Sequence, residues 1–62
     1  MKFYIYNWKR GTKRISKKDL MRVYGKDKIQ SMIEKARVHW NTVMQEEVRF
    51  ELSKFEELII GG

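Results

Sequence analysis

Six cationic side chains lie within the eleven residues from Trp8 to Lys18, and this stretch contains no acidic residue. Held close together, such cations repel one another, and an anionic partner would relieve the repulsion. The cations could neutralise phosphates, and the aromatic rings beside them could stack on unpaired bases. The stretch therefore predicts a surface that binds nucleic acid or an acidic protein. The alternative is a solvated basic loop that only keeps the protein soluble. The predicted binding residues are Tyr6, Trp8, Lys9, Arg10, Lys13, Arg14, Lys17 and Lys18.

Other side chains that could do chemistry are few. His39 is the only histidine and the chain has no cysteine, so a lone imidazole would have to serve in acyl transfer and a structural zinc site is nearly excluded. Two acidic pairs, Glu46–Glu47 and Glu56–Glu57, are made of adjacent residues whose side chains point to different faces of a helix or strand. No glycine-rich phosphate loop is present. We therefore predict no catalytic residue, metal site, cofactor or small-molecule substrate.

The length of the chain limits its core. We expect 62 residues to form a single domain, 1–62, which buries only about 60% of the surface that the unfolded chain exposes. Without cysteine, no disulfide can compensate for a small core. Association with a second copy or a partner would cover apolar surface, so we predict a homodimer.

The charge of the chain is polarised along its length. The net charge is +6, but residues 1–30 carry +8 and residues 31–62 carry −2. Such polarity could orient the molecule on an anion or bring opposite halves of two copies together. No apolar run approaches the roughly 18 residues of a membrane span, and the first residues are too polar for a signal peptide. We therefore expect a cytoplasmic protein without a membrane partner.

The N-terminal segment Lys2–Trp8 is rich in aromatic and β-branched residues and predicts a strand. Phe3 and Ile5 would lie on one face, and the aromatic residues on the other. Because neither face is polar, the strand is either central and covered twice, or its aromatic face is a contact surface. Asn7 is expected to begin a turn into the basic loop, with Gly11 at a positive φ.

Two helices are predicted after this loop. Ser16 is expected to be the N-cap of the first, with Asp19 as its capping partner and Gly25 as its αL C-terminal residue. A second helix begins at Lys26, because apolar residues recur at helical spacing. These are Ile29, Met32, Ile33 and Ala36. An ordinary packed helix pair is favoured over a DNA-reading helix-turn-helix, since no specific motif accompanies the joint.

The C-terminal third is harder to interpret. Residues 37–45 alternate as a strand would, although Trp40 also continues the preceding helical stripe; we predict a strand. Residues 45–47 are expected to turn into a second strand, Val48–Leu52, whose apolar residues face inward. Ser53 and Glu56 predict a last short helix, Lys54–Ile60, ended by two glycines. Its consecutive apolar residues 58–60 either close the core or contact a second molecule.

The predicted fold class is thus α+β: a small three-stranded antiparallel sheet packed by two or three short helices, in the order strand-helix-helix-strand-strand-helix. Its exposed sheet edges also favour pairing between copies.

A lysine-rich chain of this length without cysteine or proline resembles the short accessory products of bacteriophages of low-GC hosts, some of which are anti-defence proteins. The resemblance covers the general character of the whole chain and implies a viral or mobile-element origin, and hence the host cytoplasm. It rests on no motif and implies no site residue. We predict a non-enzymatic protein that docks on nucleic acid; the alternative is a stoichiometric inhibitor of a host protein involved in defence or nucleic-acid handling.

Overall fold

The computed structural model of the chain describes residues 1–42 and 46–61. Four strands form one antiparallel sheet in the spatial order β2-β1-β4-β3, accompanied by two helices. The elements are β1 (Lys2–Asn7), β2 (Gly11–Ile15), α1 (Lys17–Tyr24), α2 (Lys26–Thr42), β3 (Val48–Ser53) and β4 (Glu56–Gly61). The α+β class with an antiparallel sheet is confirmed. The predicted count of three strands is wrong, because the described residues contain four.

The predicted basic loop is one arm of a β-hairpin. Asn7 begins the turn as expected: its Oδ1 accepts hydrogen bonds from the backbone N–H groups of Lys9, at 2.8 Å, and Arg10, at 3.1 Å. Gly11 then adopts φ +80°, which glycine reaches without steric cost, and pairs with Asn7. The three-residue turn therefore returns the chain along β1 as β2.

Helix α1 begins and ends where the sequence predicts. The Ser16 hydroxyl oxygen accepts a hydrogen bond from the Asp19 N–H at 3.1 Å, which satisfies one of the free amides of the first turn. The Gly25 N–H donates to the Met21 carbonyl at 3.1 Å. Gly25 has the expected positive φ of 101°, but its ψ of 133° lies outside the αL region that we predicted.

Helix α2 is longer than predicted. The strand expected for residues 37–45 is wrong for residues 37–42, which continue the helix; residues 43–45 lie outside the described residues. The buried stripe of Ile29, Ile33 and Ala36 extends to Trp40, whose Nε1 donates to the Glu46 carbonyl at 2.6 Å. Low helix propensity costs only a few tenths of a kcal/mol per residue, which such packing outweighs.

The predicted C-terminal helix is wrong. Residues 54–55 form a turn, and the residues after it form the central strand β4 between β1 and β3. The Ser53 hydroxyl donates to the Glu56 carboxylate at 3.4 Å, so this pair spans the hairpin turn instead of capping a helix. The strand prediction for Val48–Leu52 is confirmed as β3, with Leu52 buried. Gln45 of the predicted turn lies outside the described residues, and so does Gly62, the second of the two final glycines.

The core lies between one face of the sheet and the two helices. Its buried members come from five elements and are Phe3, Ile5, Leu20, Ile29, Ile33, Ala36, Leu52, Leu58 and Ile60. Because α1 and α2 both pack on this face, no helix formed by residues 1–42 or 46–61 covers the other face of the sheet. Among the described residues, no helix combines the length and apolar character that crossing a membrane requires.

One polar contact at the core margin predicts a pH effect on stability. The Tyr24 hydroxyl donates to the Glu56 carboxylate at 3.3 Å. Burial, and then the charge and hydrogen bond of Glu56, raise the pKa of Tyr24 above 10.0. The protonated phenol is therefore favoured in the folded state, and its contribution to stability is present below pH 10.0 and lost as pH rises through the raised pKa.

We therefore expect the free energy of unfolding to fall more steeply above about pH 10 in the wild type than in Tyr24→Phe. Urea titrations of both proteins from about pH 8 to about pH 11 measure the difference. The Phe variant keeps the ring and loses the titrating group, so it controls for lysines that titrate in the same range. Parallel pH profiles would contradict the prediction.

Candidate functional site

The helix-free side of the sheet, here called the open face, carries side chains from all four strands. Strand pairing places Arg14 beside Tyr4, Tyr4 beside Ile59, and Ile59 beside Arg49. These four residues form one row across the sheet, from edge strand β2 to edge strand β3. The row has an aromatic and an aliphatic side chain at its centre and a guanidinium group at each end.

Ile59 shows that the open face is well packed. Its side chain is only 3% exposed, although it lies outside the core cluster and no helix covers it. Neighbouring side chains of the same face must therefore shield it, and Tyr4 is its direct partner on β1. Tyr4 is itself half-buried. The centre of the face is thus a compact platform with part of an aromatic ring exposed.

A second row on the open face has a different charge. It contains Thr12, Tyr6, Glu57 and Glu51, again in order across the four strands. The two glutamates stand opposite each other, which is unfavourable. Arg49 Nη1 lies 3.6 Å from a Glu57 carboxylate oxygen and offsets part of that repulsion. The open face is therefore cationic near the start of β1 and acidic near the end of β1.

A shallow depression of about 690 Å³ lies beside the cationic end of the open face. It is lined by four cations, Lys2, Arg14, Lys17 and Arg37, together with Met1, Phe3, Ile15 and Ser16. No carboxylate among the described residues lines it. We call this feature the cationic depression. Arg14 belongs both to it and to the first row of the open face.

The structure divides the predicted binding residues among several places. Trp8, Lys9 and Arg10 lie in the β1–β2 turn, whereas Lys17 and Lys18 lie in the first turn of α1. The five residues of β2 hold these groups roughly 17 Å apart.

Three predicted residues lie on the sheet itself. Lys13 pairs with Ile5 and therefore lies on the helix side of the edge strand, where it is exposed. Tyr6 and Arg14 share the open face. Among the predicted cations, Arg14 and Lys17 meet in the cationic depression, and Lys13 and Arg14 line another depression together with Asp19 and Arg22.

Trp8 occupies a separate environment. Its side chain is 64% exposed, and its ring meets that of Phe55 edge to face with centroids 6.2 Å apart. Lys54 Nζ lies 5.6 Å from the Phe55 ring centroid. Trp8 also lines a depression together with Glu51 and Glu57. Carboxylates repel phosphate, so this end of the sheet is less suited to a nucleic-acid backbone than the other.

Three cations of the site were not predicted from the sequence: Lys2, Arg37 and Arg49. The alternation of β3 indicates that Arg49 faces away from the core, so a local signal for that residue exists. Lys2 and Arg37 are 35 positions apart, and no local pattern joins them. Only the packing of α2 beside the start of β1 brings them together.

The arrangement combines partly exposed aromatic rings with cations and presents no nucleophile paired with a base among the described residues. Such a surface can hold an anion that also carries flat apolar groups. Comparisons of the chain with protein-family models, with curated proteins and with solved structures found no match.

Proposed function

We propose that the protein binds nucleic acid through the open face, with bases stacked on Tyr4 and Tyr6 and phosphates held by Arg14 and Arg49. The observation that carries this proposal is the row in which Tyr4 and Ile59 lie between two arginines. A base on the central ring would place its backbone within reach of a guanidinium group, which is suited to phosphate by its fork of donors.

The spacing of the two tyrosines favours unpaired nucleic acid. Residues two apart on one face of a strand are separated by about 6.7 Å, whereas stacked bases of a duplex rise about 3.4 Å. Neighbouring nucleotides must therefore separate from each other to meet both rings, which an unpaired strand does more easily than a duplex. The exposed parts of Tyr4 and Tyr6 also lie on a sheet, a flat surface without the protruding helix or ribbon that enters a duplex groove.

The long-range charge supports the same partner. The net charge of +6 attracts polyanions, and the +8 of residues 1–30 includes two of the strands and α1. Near the site, Glu57 and Glu51 occupy only the end of the open face that is distant from the cationic depression. The electrostatic field of the protein thus favours a nucleic-acid strand whose phosphates lie over the cationic end of the open face, near Arg14.

Salt dependence tests the proposal directly. If about three to five cations contact phosphates, the logarithm of the affinity for single-stranded DNA should fall with the logarithm of salt concentration with a slope of about −2 to −3.5. Fluorescence anisotropy with a labelled oligothymidylate of about twelve nucleotides, between about 50 and 200 mM salt, measures the slope. The same oligonucleotide annealed to its complement is the matched control and should bind more weakly.

Absence of binding to both probes would contradict the proposal. That outcome would favour the alternative, a stoichiometric inhibitor of a host protein. The observation on its side is Trp8, a large exposed aromatic residue of the kind that anchors protein interfaces. In that case a complex with one host protein should survive nuclease treatment.

A further inference from the structure

We infer that the cationic depression binds a phosphate group of the strand that lies on the open face. This inference rests on the proposed function and extends its binding surface by one phosphate position. The site lies at the end of the sheet where β1 begins and β2 ends, beside the first turn of α1. Its ligand chemistry is an oxyanion of phosphate.

The cations of the depression converge from four different elements. Lys2 comes from β1, Arg14 from β2, Lys17 from α1 and Arg37 from α2. A run of lysines along one helix is commonly a solvated surface, but convergence from four elements concentrates positive charge at one place. Like charges held together in this way are unfavourable unless an anion joins them.

Most of this charge is not neutralised by ion pairs within the described part of the chain. Among the described residues, the ion pairs are Arg22–Asp19, Arg37–Glu34 and Arg49–Glu57. Lys2, Arg14 and Lys17 are in none of them. Arg37 Nη1 lies 3.3 Å from the Glu34 carboxylate, an i, i+3 contact on an exposed helix face, and this contact uses one nitrogen of the guanidinium group. The depression therefore offers three unpaired cations and one that is partly paired.

The depression is continuous with the open face. Arg14 belongs to both, and Lys2 stands two residues before Tyr4 on the same side of β1. That step along a strand is about 6.7 Å, close to the separation expected between neighbouring nucleotides that meet Tyr6 and Tyr4. A nucleic-acid strand that runs along β1 from Tyr6 past Tyr4 would thus place its next phosphate at the depression.

Two sources supply the same chemistry at this position: an internal phosphodiester of a strand that continues past the depression, and a terminal phosphate of a strand that ends there. The volume of about 690 Å³ exceeds that of a single phosphate and leaves room for the attached sugar. Both sources fit that space, and oligonucleotides with different ends distinguish them.

The test compares two triple variants with the wild type. Lys2→Gln, Lys17→Gln and Arg37→Gln together remove three positive charges from the depression. A matched control removes three positive charges from exposed positions outside it: Lys26→Gln, Lys35→Gln and Lys54→Gln. Fluorescence anisotropy at one salt concentration measures the affinity for three oligothymidylates, which carry hydroxyl groups at both ends, a 5′-phosphate or a 3′-phosphate. Circular dichroism verifies that each variant is folded.

We expect the depression variant to bind about 10- to 100-fold more weakly than the wild type, and the control about threefold or less. If a terminal phosphate raises the affinity of the wild type and the depression variant loses that gain, the bound phosphate is the terminal phosphate of the oligonucleotide. If all three oligonucleotides bind the wild type equally and the variant weakens all of them, the source is an internal phosphodiester. A charge-preserving variant, with Lys2→Arg, Lys17→Arg and Arg37→Lys, should retain most of the affinity.

Equal weakening of the depression variant and its control, with wild-type binding intact, would overturn the inference and leave the proposed function standing. Absence of wild-type binding to every oligonucleotide would overturn the proposed function itself. An NMR titration with inorganic phosphate alone tests the phosphate site independently of the proposed nucleic-acid binding. Backbone amide NMR signals should then change most at Lys2, Arg14 and Lys17, and changes spread evenly over the chain would count against the site.

Discussion

Replacement of Tyr4 by alanine is expected to weaken the binding of single-stranded DNA by about 5- to 150-fold. The ring lies at the centre of the open face, between Arg14 on one neighbouring strand and Ile59 on the other. Stacking of a base on an aromatic side chain contributes about 1–3 kcal/mol, and each 1.4 kcal/mol changes affinity about tenfold. Anisotropy titrations with a short oligothymidylate at constant salt measure the loss.

Two further substitutions at Tyr4 separate stacking from packing. Tyr4→Phe keeps the ring and should bind nearly as well as the wild type. Tyr4→Leu keeps an apolar cover over Ile59, which is almost completely buried, but removes the π surface. The Leu variant should therefore lose affinity as the Ala variant does, while losing less stability. Equal binding by the wild type and the Leu variant would show that the ring does not stack on a base.

Trp8→Ala is the matched control for an aromatic residue outside the proposed surface. Trp8 is more exposed than Tyr4, but it contacts Phe55 and lies beside Glu51 and Glu57. We therefore expect its replacement to reduce DNA affinity by about threefold or less. A greater loss at Trp8 than at Tyr4 would move the binding surface to the hairpin turn, as the sequence alone suggests.

The hairpin was predictable in part. The Asn7 turn, Gly11 and the alternation in β1 follow from local chemistry that acts within a few residues. Strand β2 does not follow from local chemistry, because Ile15 is its only apolar residue. The strand lies at the edge of the sheet, and its other four residues are exposed. Its strand conformation comes from backbone pairing with β1, a contribution that does not depend on side-chain hydrophobicity.

The two errors in the C-terminal half are opposite in direction but have the same cause, a local signal that packing overrides. In α2, the weak helix formers from Val38 onward favour a strand, whereas the apolar stripe that ends at Trp40 favours a helix, and packing decides the outcome there. In β4, the capping pattern of Ser53 and Glu56 favours a helix, whereas the apolar run at 58–60 favours a buried strand. That run has buried side chains on both faces, which is typical of a central strand.

The proposed binding surface depends on strand pairing that a single sequence does not reveal. Alternation along β1 correctly groups Tyr4 with Tyr6, since it needs only the two-residue period of a strand. The two arginines beside Tyr4 and Ile59 come from the edge strands, and their position depends on the register of both pairings. The cationic stretch at 8–18 is a true feature of the sequence, yet the fold distributes it over two ends of the sheet. The second copy predicted from the small core stays a prediction.

Leu58→Ala is expected to destabilise the fold strongly. Leu58 is completely buried at the centre of the sheet, between Ile5 on β1 and Phe50 on β3. Truncation of a buried leucine costs about 2–5 kcal/mol through lost burial and the cavity left behind. A chain of 62 residues has a total stability of roughly 3–9 kcal/mol. The variant should therefore keep between none and about 7 kcal/mol of that stability, and at the lower end of this range it should be unfolded at room temperature.

Urea denaturation followed by circular dichroism measures this loss, with Val38→Ala as the matched control. Val38 lies on α2 and is 65% exposed, so its truncation should change the free energy of unfolding by about 0.5 kcal/mol or less. A Leu58 variant as stable as the control would mean that the centre of the sheet does not carry the core. The open face would then lose its support as well, because Ile59, at the centre of the proposed binding row, is held by the same strand.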